Sequence, residues 1–289
     1  MSTPRRFVQL DVFADRPGAG NPLAVVLDSD GFDDASMQAF ANWTNLSETT
    51  FLQAPTDPDA SYRVRIFTPR QELPFAGHPS IGSAHAAIDS GLATVRDGRL
   101  VQECAAGLLP MRVDGEGPER VIFVRAPDAT QIPAGDKLAL LETALVGLPR
   151  GTLAPALMDN GPHWWVVQLA DEAVVRNMTP DFAAIARLTL GSDSVGLAVF
   201  AFCKHQPWQL AARAFCPADG IPEDPVTGSA NAAIAAWLLH NDALPCRHYL
   251  ASQGREVARD GFVRVEVDGD GHAWIGGRTQ TVVEGSLEW

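Results

Sequence analysis

Cysteine, clustered positive charge and long apolar runs are all scarce in this chain, and each shortage removes a class of protein. Cys104, Cys203, Cys216 and Cys246 lie far apart with no CxxC spacing. That pattern argues against a zinc site or a disulfide framework and predicts reduced, mostly buried thiols. No run of Lys or Arg exceeds the Arg5-Arg6 pair, and the formal net charge is −13. The electrostatic footprint of a nucleic-acid or anionic-membrane binder is therefore missing, and any anionic ligand has to be held locally. No apolar stretch approaches the ~20 residues of a membrane span. The opening MSTPRRFVQLDVFA lacks the apolar core of a signal peptide, so a cytoplasmic protein is expected. No low-complexity segment is present.

What the chain does have is enough apolar material for real cores. Its 289 residues are 46% hydrophobic and 20% charged, which suits one large domain or two medium ones. A repeat favours two. GSAHAAI at 82–88 and GSANAAI at 228–234 differ at one position across an offset of 146, and FTPRQELP at 67–74 and FCPADGIP at 215–222 share Phe and two prolines at an offset of 148. An alternating strand precedes each copy, SYRVRIFT and WQLAARAF. Strand, Pro-rich loop and helix thus recur at a spacing too long for a solenoid, which points to two pseudo-equivalent domains.

The first repeated helix is expected to start at Gly77-His78-Pro79-Ser80, with His78 as cap and Pro79 as first helical residue, and to stop at Ser90-Gly91. The second is expected over about 228–240. Both are small or apolar nearly all round, hence buried on every side and threaded through a curved, barrel-like sheet. Amphipathic helices fit 34–44, 136–147 and 179–189, the last with Thr179 as cap. Linkers fit 115–118 or 126–133.

Two buried helices starting from equivalent loops are expected to face each other across an interdomain cleft, offering unpaired N–H groups and two positive dipole ends to a carboxylate. The adjoining loops carry Glu72 and His78 in the first copy and Glu223, Asp224 and Ser229 in the second. Their spacings form no metal constellation and fit acid-base work better. Each residue has a plain structural reading beside the functional one: His78 as a cap, Asp224 as a turn residue, Ser229 as an ordinary first-turn residue. Glu48, in NLSETTF at 45–51, sits between the helix ending near Thr44 and the strand starting at Thr49. It either lies on an exposed strand edge or points into a water-poor cleft, where desolvation would raise its pKa and suit it to shuttle a proton.

ETTF, ELPFAGHPSIGSAHA and GIPEDPVTGSANAA together resemble the phenazine-biosynthesis isomerase family, which shares its fold with diaminopimelate epimerase. The resemblance runs from DVFADRPGAGNPLAVVLD to the closing VVEGSLEW. It implies an α+β fold of two pseudo-symmetric domains, each a barrel-like, mainly antiparallel sheet around a central buried helix. The expected domains are 1–118 and 119–276, with a C-terminal strand at 277–289 returning to the first and the active site between them. Carried over by motif, the catalytic positions are Glu48, His78, Asp224 and Ser229. Ser47 and Gly77 resemble neighbouring substrate contacts, and Pro79, Ser80 and Gly228 at the helix starts complete the expected binding set.

The resemblance further implies a homodimer and an enzyme with no cofactor and no metal. In place of the paired cysteines of diaminopimelate epimerase and proline racemase, the two loops here read FAGHPS and DPVTGS. A two-thiol racemase is thereby disfavoured, and one base moving a proton between carbons of a small carboxylate-bearing cyclic or unsaturated substrate fits better. A lyase using the same base, or a small-molecule binding or regulatory protein keeping the pocket without turnover, are the competing readings.

Overall fold

The computed structural model describes residues 4–289. The chain divides into two compact units, Met1–Arg125 with Gly276–Trp289, and Ala126–Ile275.

The first unit contains β1 (Arg5–Val12), β2 (Asn21–Val26), α1 (Asp34–Thr44), β3 (Thr49–Gln53), β4 (Tyr62–Phe67), β5 (Glu72–Leu73), α2 (Gly77–Asp89), β6 (Arg99–Cys104), β7 (Gly107–Asp114) and β8 (Val121–Arg125). β1 and β2 pair antiparallel, α1 crosses over to make β2 and β3 parallel, and β3 returns antiparallel to β4. β4 carries the short β5, and α2 crosses over to place β6 parallel to β4, followed by antiparallel β7 and β8. The expected domain boundary at 118 moves to 125, because β8 completes a hairpin with β7 and so belongs to the first unit.

The second unit repeats this order. It contains β9 (Thr130–Ile132), α3 (Leu138–Ala144), β10 (Ala156–Asp159), β11 (His163–Gln168), α4 (Glu172–Asn177), α5 (Phe182–Ser192), β12 (Gly196–Phe202), β13 (Leu210–Cys216), β14 (Ile221–Asp224), α6 (Gly228–His240), β15 (His248–Gln253), β16 (Gly261–Val267) and β17 (Ala273–Gly277), whose last two residues fall to the first unit. β10 and β11 are antiparallel, α4 and α5 cross over to a parallel β12, and β13 returns antiparallel with β14 attached. α6 crosses over to a parallel β15, which pairs antiparallel with β16. The last strand, β18 (Thr279–Leu287), pairs antiparallel with β1 in the first unit.

The two 13-residue helices α2 and α6 are the buried centres of their units. α2 packs on β1, β2, β3, β4, β6, β8 and β18, and α6 on β10, β11, β12 and β16. Small side chains permit this. A Cβ added at Gly82, in the middle of α2, would come within 2.5 Å of Leu23 Cδ2 and 2.9 Å of Val12 Cγ2, so only glycine lets β1 and β2 lie this close. The outer helices behave as ordinary amphipathic covers. Met37, Phe40 and Ala41 of α1 pack with Phe51 and Phe67, and α3 and α5 cover the sheet of the second unit with Leu141, Ile185 and Leu188.

Several local expectations need correction. The α2 cap is Ala76, in extended conformation, so Gly77 is the first helical residue and His78 lies inside the first turn. α5 starts at Phe182 with Asp181 accepting from the Ala184 amide, not at Thr179, because an Asp two residues after Thr179 offers the better cap. Only Cys216 is buried; Cys104 and Cys203 are half-buried and Cys246 is exposed, all four being free thiols.

The repeat itself is real but in another register. Arg65 and Arg213, offset by 148, both fork onto a glutamate of the next strand, Glu72 and Glu223, which are offset by 151. The shift is taken up by a 3-10 turn at Pro217–Asp219 in the second unit. From there the equivalence reads ELPFAGHPS against EDPVTGSAN, so that Gly77 matches Gly228 and His78 matches Ser229. The seven-letter match starts at the sixth residue of α2 but at the first of α6. It reflects the shared demand for small residues in two buried helices, not a common ancestor position.

Candidate active site

In the first unit the site is built from the turn after α1 and the start of α2. Asn45 closes α1 in the left-handed conformation at φ 55°. Thr44 Oγ1 and Thr49 Oγ1 meet at 2.8 Å and pinch the turn that carries Ser47 and Glu48. Glu48 therefore enters neither the helix nor the strand, and its Oε2 lies 3.4 Å from His78 Nε2. The side chain of Glu48 is 16% exposed and that of His78 is 7% exposed. Burial is the main influence on Glu48: it penalises the carboxylate and pushes the pKa up to about 7, with the neighbouring Ser47 hydroxyl pulling the other way. Of the two readings of Glu48 in the sequence, the exposed strand edge is thus excluded.

Gly77, Pro79 and Ser80 surround the same helix start. Ala76 has no side chain with which to cap it, and Pro79 brings no N–H of its own. Ser80 is fully buried, and its hydroxyl donates back to the Ala76 carbonyl at 2.8 Å. It organises the turn instead of presenting its hydroxyl outward. Glu72, grouped above with the proton-handling residues, is held bidentate by Arg65 at 2.7 Å and is a structural ion pair.

In the second unit Asp224 ends β14 and accepts the Thr227 hydroxyl at 2.6 Å. The same Thr227 oxygen accepts from a glutamine amide of β15, Gln253 Nε2, at 2.9 Å, so Thr227, the α6 cap, is turned from capping and among the described residues no side chain caps α6. Its first-turn amides have no acceptor within the helix. Gly228 is the first residue of α6 and is buried. Ser229 Oγ accepts from the Trp164 indole at 3.1 Å, and the Ser229 carbonyl accepts from Asn160 Nδ2 at 2.9 Å. With its oxygen already serving as acceptor, the Ser229 hydroxyl proton is left to donate. Glu223 is held bidentate by the buried Arg213 at 2.9 and 2.8 Å and, like Glu72, is structural.

The residues that sequence reasoning missed are those behind the site: Asn160 and Trp164 in NGPHWW, Gln102 and Gln253. Gln102 and Gln253 are polar residues in strands, Asn160 a turn residue and Trp164 one of two tryptophans in an apolar strand, signals that without a fold have no address. Among the described residues, one cluster has ligand atoms close enough for a cation: Asp268, Asp270 and His272, within 4.8 Å of one another. Asp268 there accepts the amides of Asp270 and His272 and the Trp274 indole, which describes a turn built around one carboxylate. No helix among the described residues is long and apolar enough to cross a membrane.

A sheet wrapped on a small-residue helix, occurring twice in one chain, is a fold also seen in solved epimerases. The solved hydroxyproline epimerase of Agrobacterium vitis superposes with a TM-score of 0.66 over 100% of this chain and 94% of its own, at 12% identity, which speaks for the fold alone. The phenazine biosynthesis protein of the PhzF family from Bacillus anthracis superposes with a TM-score of 0.85 at 25% identity, covering 99% and 100% of the two chains.

The family model described as phenazine biosynthesis-like protein matches residues 10–285, and this chain belongs to that family. Trans-2,3-dihydro-3-hydroxyanthranilate isomerase of Pseudomonas aeruginosa is 35% identical over 94% of this chain and 98% of its own. Antisense-enhancing sequence 1 of Schizosaccharomyces pombe is 35% identical over 98% of each. The fold is α+β and epimerase-like, and the relatives named as isomerases support an isomerase here.

Proposed function

We propose that this protein is a cofactor-independent isomerase that moves a proton between two carbons of a small carboxylate-bearing cyclic or unsaturated molecule, with Glu48 as the one acid and base. The observation that carries the reading is the Glu48 carboxyl held near pKa 7 beside His78. A group poised at neutral pH is present as base and as acid in comparable amounts, the condition under which one residue both takes and returns a proton most effectively. In the proposed cycle the Glu48 carboxylate removes a proton from carbon and the electron pair spreads into the adjoining unsaturation. The resulting carboxylic acid, whose proton exchanges with solvent, then delivers a proton to another carbon. His78 steadies the carboxylate, Asp224, Ser229, Ser47 and the helix-start residues Gly77 and Gly228 hold and orient the substrate, and Pro79 and Ser80 shape the α2 start. The substrate named for the Pseudomonas relative, trans-2,3-dihydro-3-hydroxyanthranilate, is of this chemical class and is the first to offer.

The test is proton NMR in D2O with that compound, comparing wild type with Glu48→Gln. Deuterium entering a ring carbon with wild type and not with the variant, in a product of otherwise unchanged mass, supports the reading. A product lighter by one water makes the protein a lyase, and binding without exchange makes it a binding protein. Either result overturns the isomerase. The reading includes a homodimer, to be checked by sedimentation.

A further inference from the structure

Gln253, the last residue of β15, is 1% exposed, and both ends of its amide are used. Oε1 accepts from the Thr227 backbone N–H at 3.1 Å and from Asn231 Nδ2 at 3.0 Å. Nε2 donates to Thr227 Oγ1 at 2.9 Å and to the Asp224 carbonyl at 3.1 Å. Asn231 Nδ2 also donates to the Thr227 carbonyl at 2.9 Å, closing the ring. All these bonds end within residues 224–231, the stretch that carries Asp224, Gly228 and Ser229. A buried amide gains little over a hydrocarbon of the same size unless its bonds fix something, since each must first be stripped of water. Here all four of its bonding sites are filled, and what they fix is the turn between β14 and α6.

The matching residue of the first unit does this less directly. Gln102, also fully buried and offset from Gln253 by 151, donates to Ser80 Oγ at 2.9 Å, and Ser80 in turn donates to the Ala76 carbonyl. The other end of the Gln102 amide accepts from Tyr62. One side chain therefore stands between Gln102 and the α2 start, whereas Gln253 grips the backbone on both sides of the α6 cap.

We propose that Gln253 is a positioning residue: it holds the first turn of α6 in the geometry in which its amides receive the anionic group of the substrate, and keeps the Asp224 carboxylate in place for the substrate's hydrogen-bond donors. The inference rests on the function proposed above. Displacements of about 1 Å at such groups weaken binding and turnover by one to two orders of magnitude. Because the bonds of Gln253 end on substrate-holding residues and the proton-transfer pair belongs to the first unit, the effect falls on KM and leaves the pH dependence set by Glu48 in place.

The experiment compares wild type, Gln253→Met and Gln253→Glu. Glutamate keeps the two bonds that Oε1 accepts and loses the two that Nε2 donates. Three readouts are taken: steady-state kinetics with trans-2,3-dihydro-3-hydroxyanthranilate, calorimetric affinity for anthranilate, and hydrogen–deuterium exchange by mass spectrometry. Gln253→Met is expected to raise KM and the anthranilate Kd about tenfold or more, with kcat within about threefold and the kinetic pKa unmoved. Exchange is expected to accelerate about tenfold at 226–231 and not in the second half of α6, with Gln253→Glu, whose second oxygen faces the Asp224 carbonyl, at least as disruptive as Gln253→Met.

KM and Kd within about twofold of wild type, or acceleration spread evenly along α6, overturns the proposal and leaves Gln253 as packing. If the Met variant does not fold, the Glu variant is read by the same criteria. If wild type neither turns over the substrate nor binds anthranilate, the proposed function falls. Exchange then decides the positioning role alone, localised acceleration supporting it and uniform or absent acceleration overturning it.

Discussion

The two units build the same helix start from the same parts and put different chemistry on it. Each has an arginine forked onto the glutamate of an E-x-P-x-x-G turn, a glutamine behind the helix, and no side-chain cap at the helix N-terminus among the described residues. In the first unit the residue after the turn glycine is His78, with the buried Glu48 at 3.4 Å. In the second it is Ser229, whose oxygen is taken by the Trp164 indole. One start carries a carboxyl and an imidazole side by side, and the other a hydroxyl and backbone amides with no comparable pair. The asymmetry fits the function proposed above, in which Glu48 moves the proton and Asp224 and Ser229 hold the substrate. A racemase needs matched acids and bases on both faces.

Supporting ion pairs differ in the same direction. Arg213 and Glu223 are buried, at 5% and 6% side-chain exposure, and Arg213 also donates to the Val175 and Met178 carbonyls. Arg65 and Glu72 sit at 17% and 34%, with Asp34 adding a third, exposed charge. The second unit has sunk its version into the core, where the pair stands or falls together.

The largest expected effect breaks the asymmetry outright. Glu48→Gln should lower kcat by about a thousandfold or more, near 4 kcal/mol of barrier, whereas Ser229→Ala should act mainly on KM; steady-state kinetics on both variants would show the contrast. Next come the ion pairs. Arg213→Met strands a buried carboxylate and should cost about 3 to 5 kcal/mol in urea unfolding, while Arg65→Met should cost about 1 kcal/mol. Equal costs would remove the distinction drawn between the two units.

A pH-dependent stability difference of up to about 3 kcal/mol tests Glu48 without any substrate. Its folded pKa of about 7 lies above the ordinary value of 4.5, so the folded state holds the proton more tightly than the unfolded chain. The contribution of Glu48 to stability is complete below about pH 4.5 and is lost as the pH rises through 7. Glu48→Gln does not titrate, and thermal unfolding should find it gaining on wild type between pH 5 and pH 8. A constant difference across that range would show that burial does not govern Glu48. Smallest is Trp164→Phe, which removes the donor to Ser229 Oγ. About 1 kcal/mol, or a several-fold rise in KM at nearly constant kcat, is expected in the same kinetic assay.

Much of the molecule is legible in its amino-acid sequence. Helix α1 falls at the expected 34–44, α6 at the expected 228–240, and Glu48 in the expected gap between helix and strand. Those elements are bounded by local signals, an Asp33 cap, a run of small residues and a change of periodicity. Pairing of the repeats is less legible. A string match places GSAHAAI on GSANAAI, but backbone hydrogen bonds and the Arg–Glu forks place Gly77 on Gly228. The three-residue turn at Pro217–Asp219 moves the second helix relative to its strand, and letters in a helix that must be small match by composition alone.

The sequence by itself determined which residues were available for proton chemistry and that two small-residue helices had to be buried, because burial and cap preferences are written in side-chain size and polarity. Tertiary structure alone decided which carboxylates are ion-paired and which one is buried beside an imidazole. Glu72 and Glu223 are as conspicuous in the sequence as Glu48, yet each is neutralised by an arginine from the adjacent strand. Glu48 is buried with a histidine at 3.4 Å for company, and its proton is held until about pH 7. A carboxylate's pKa is set by the dielectric and the charges around it, and those neighbours come from strands and helices distant in the chain.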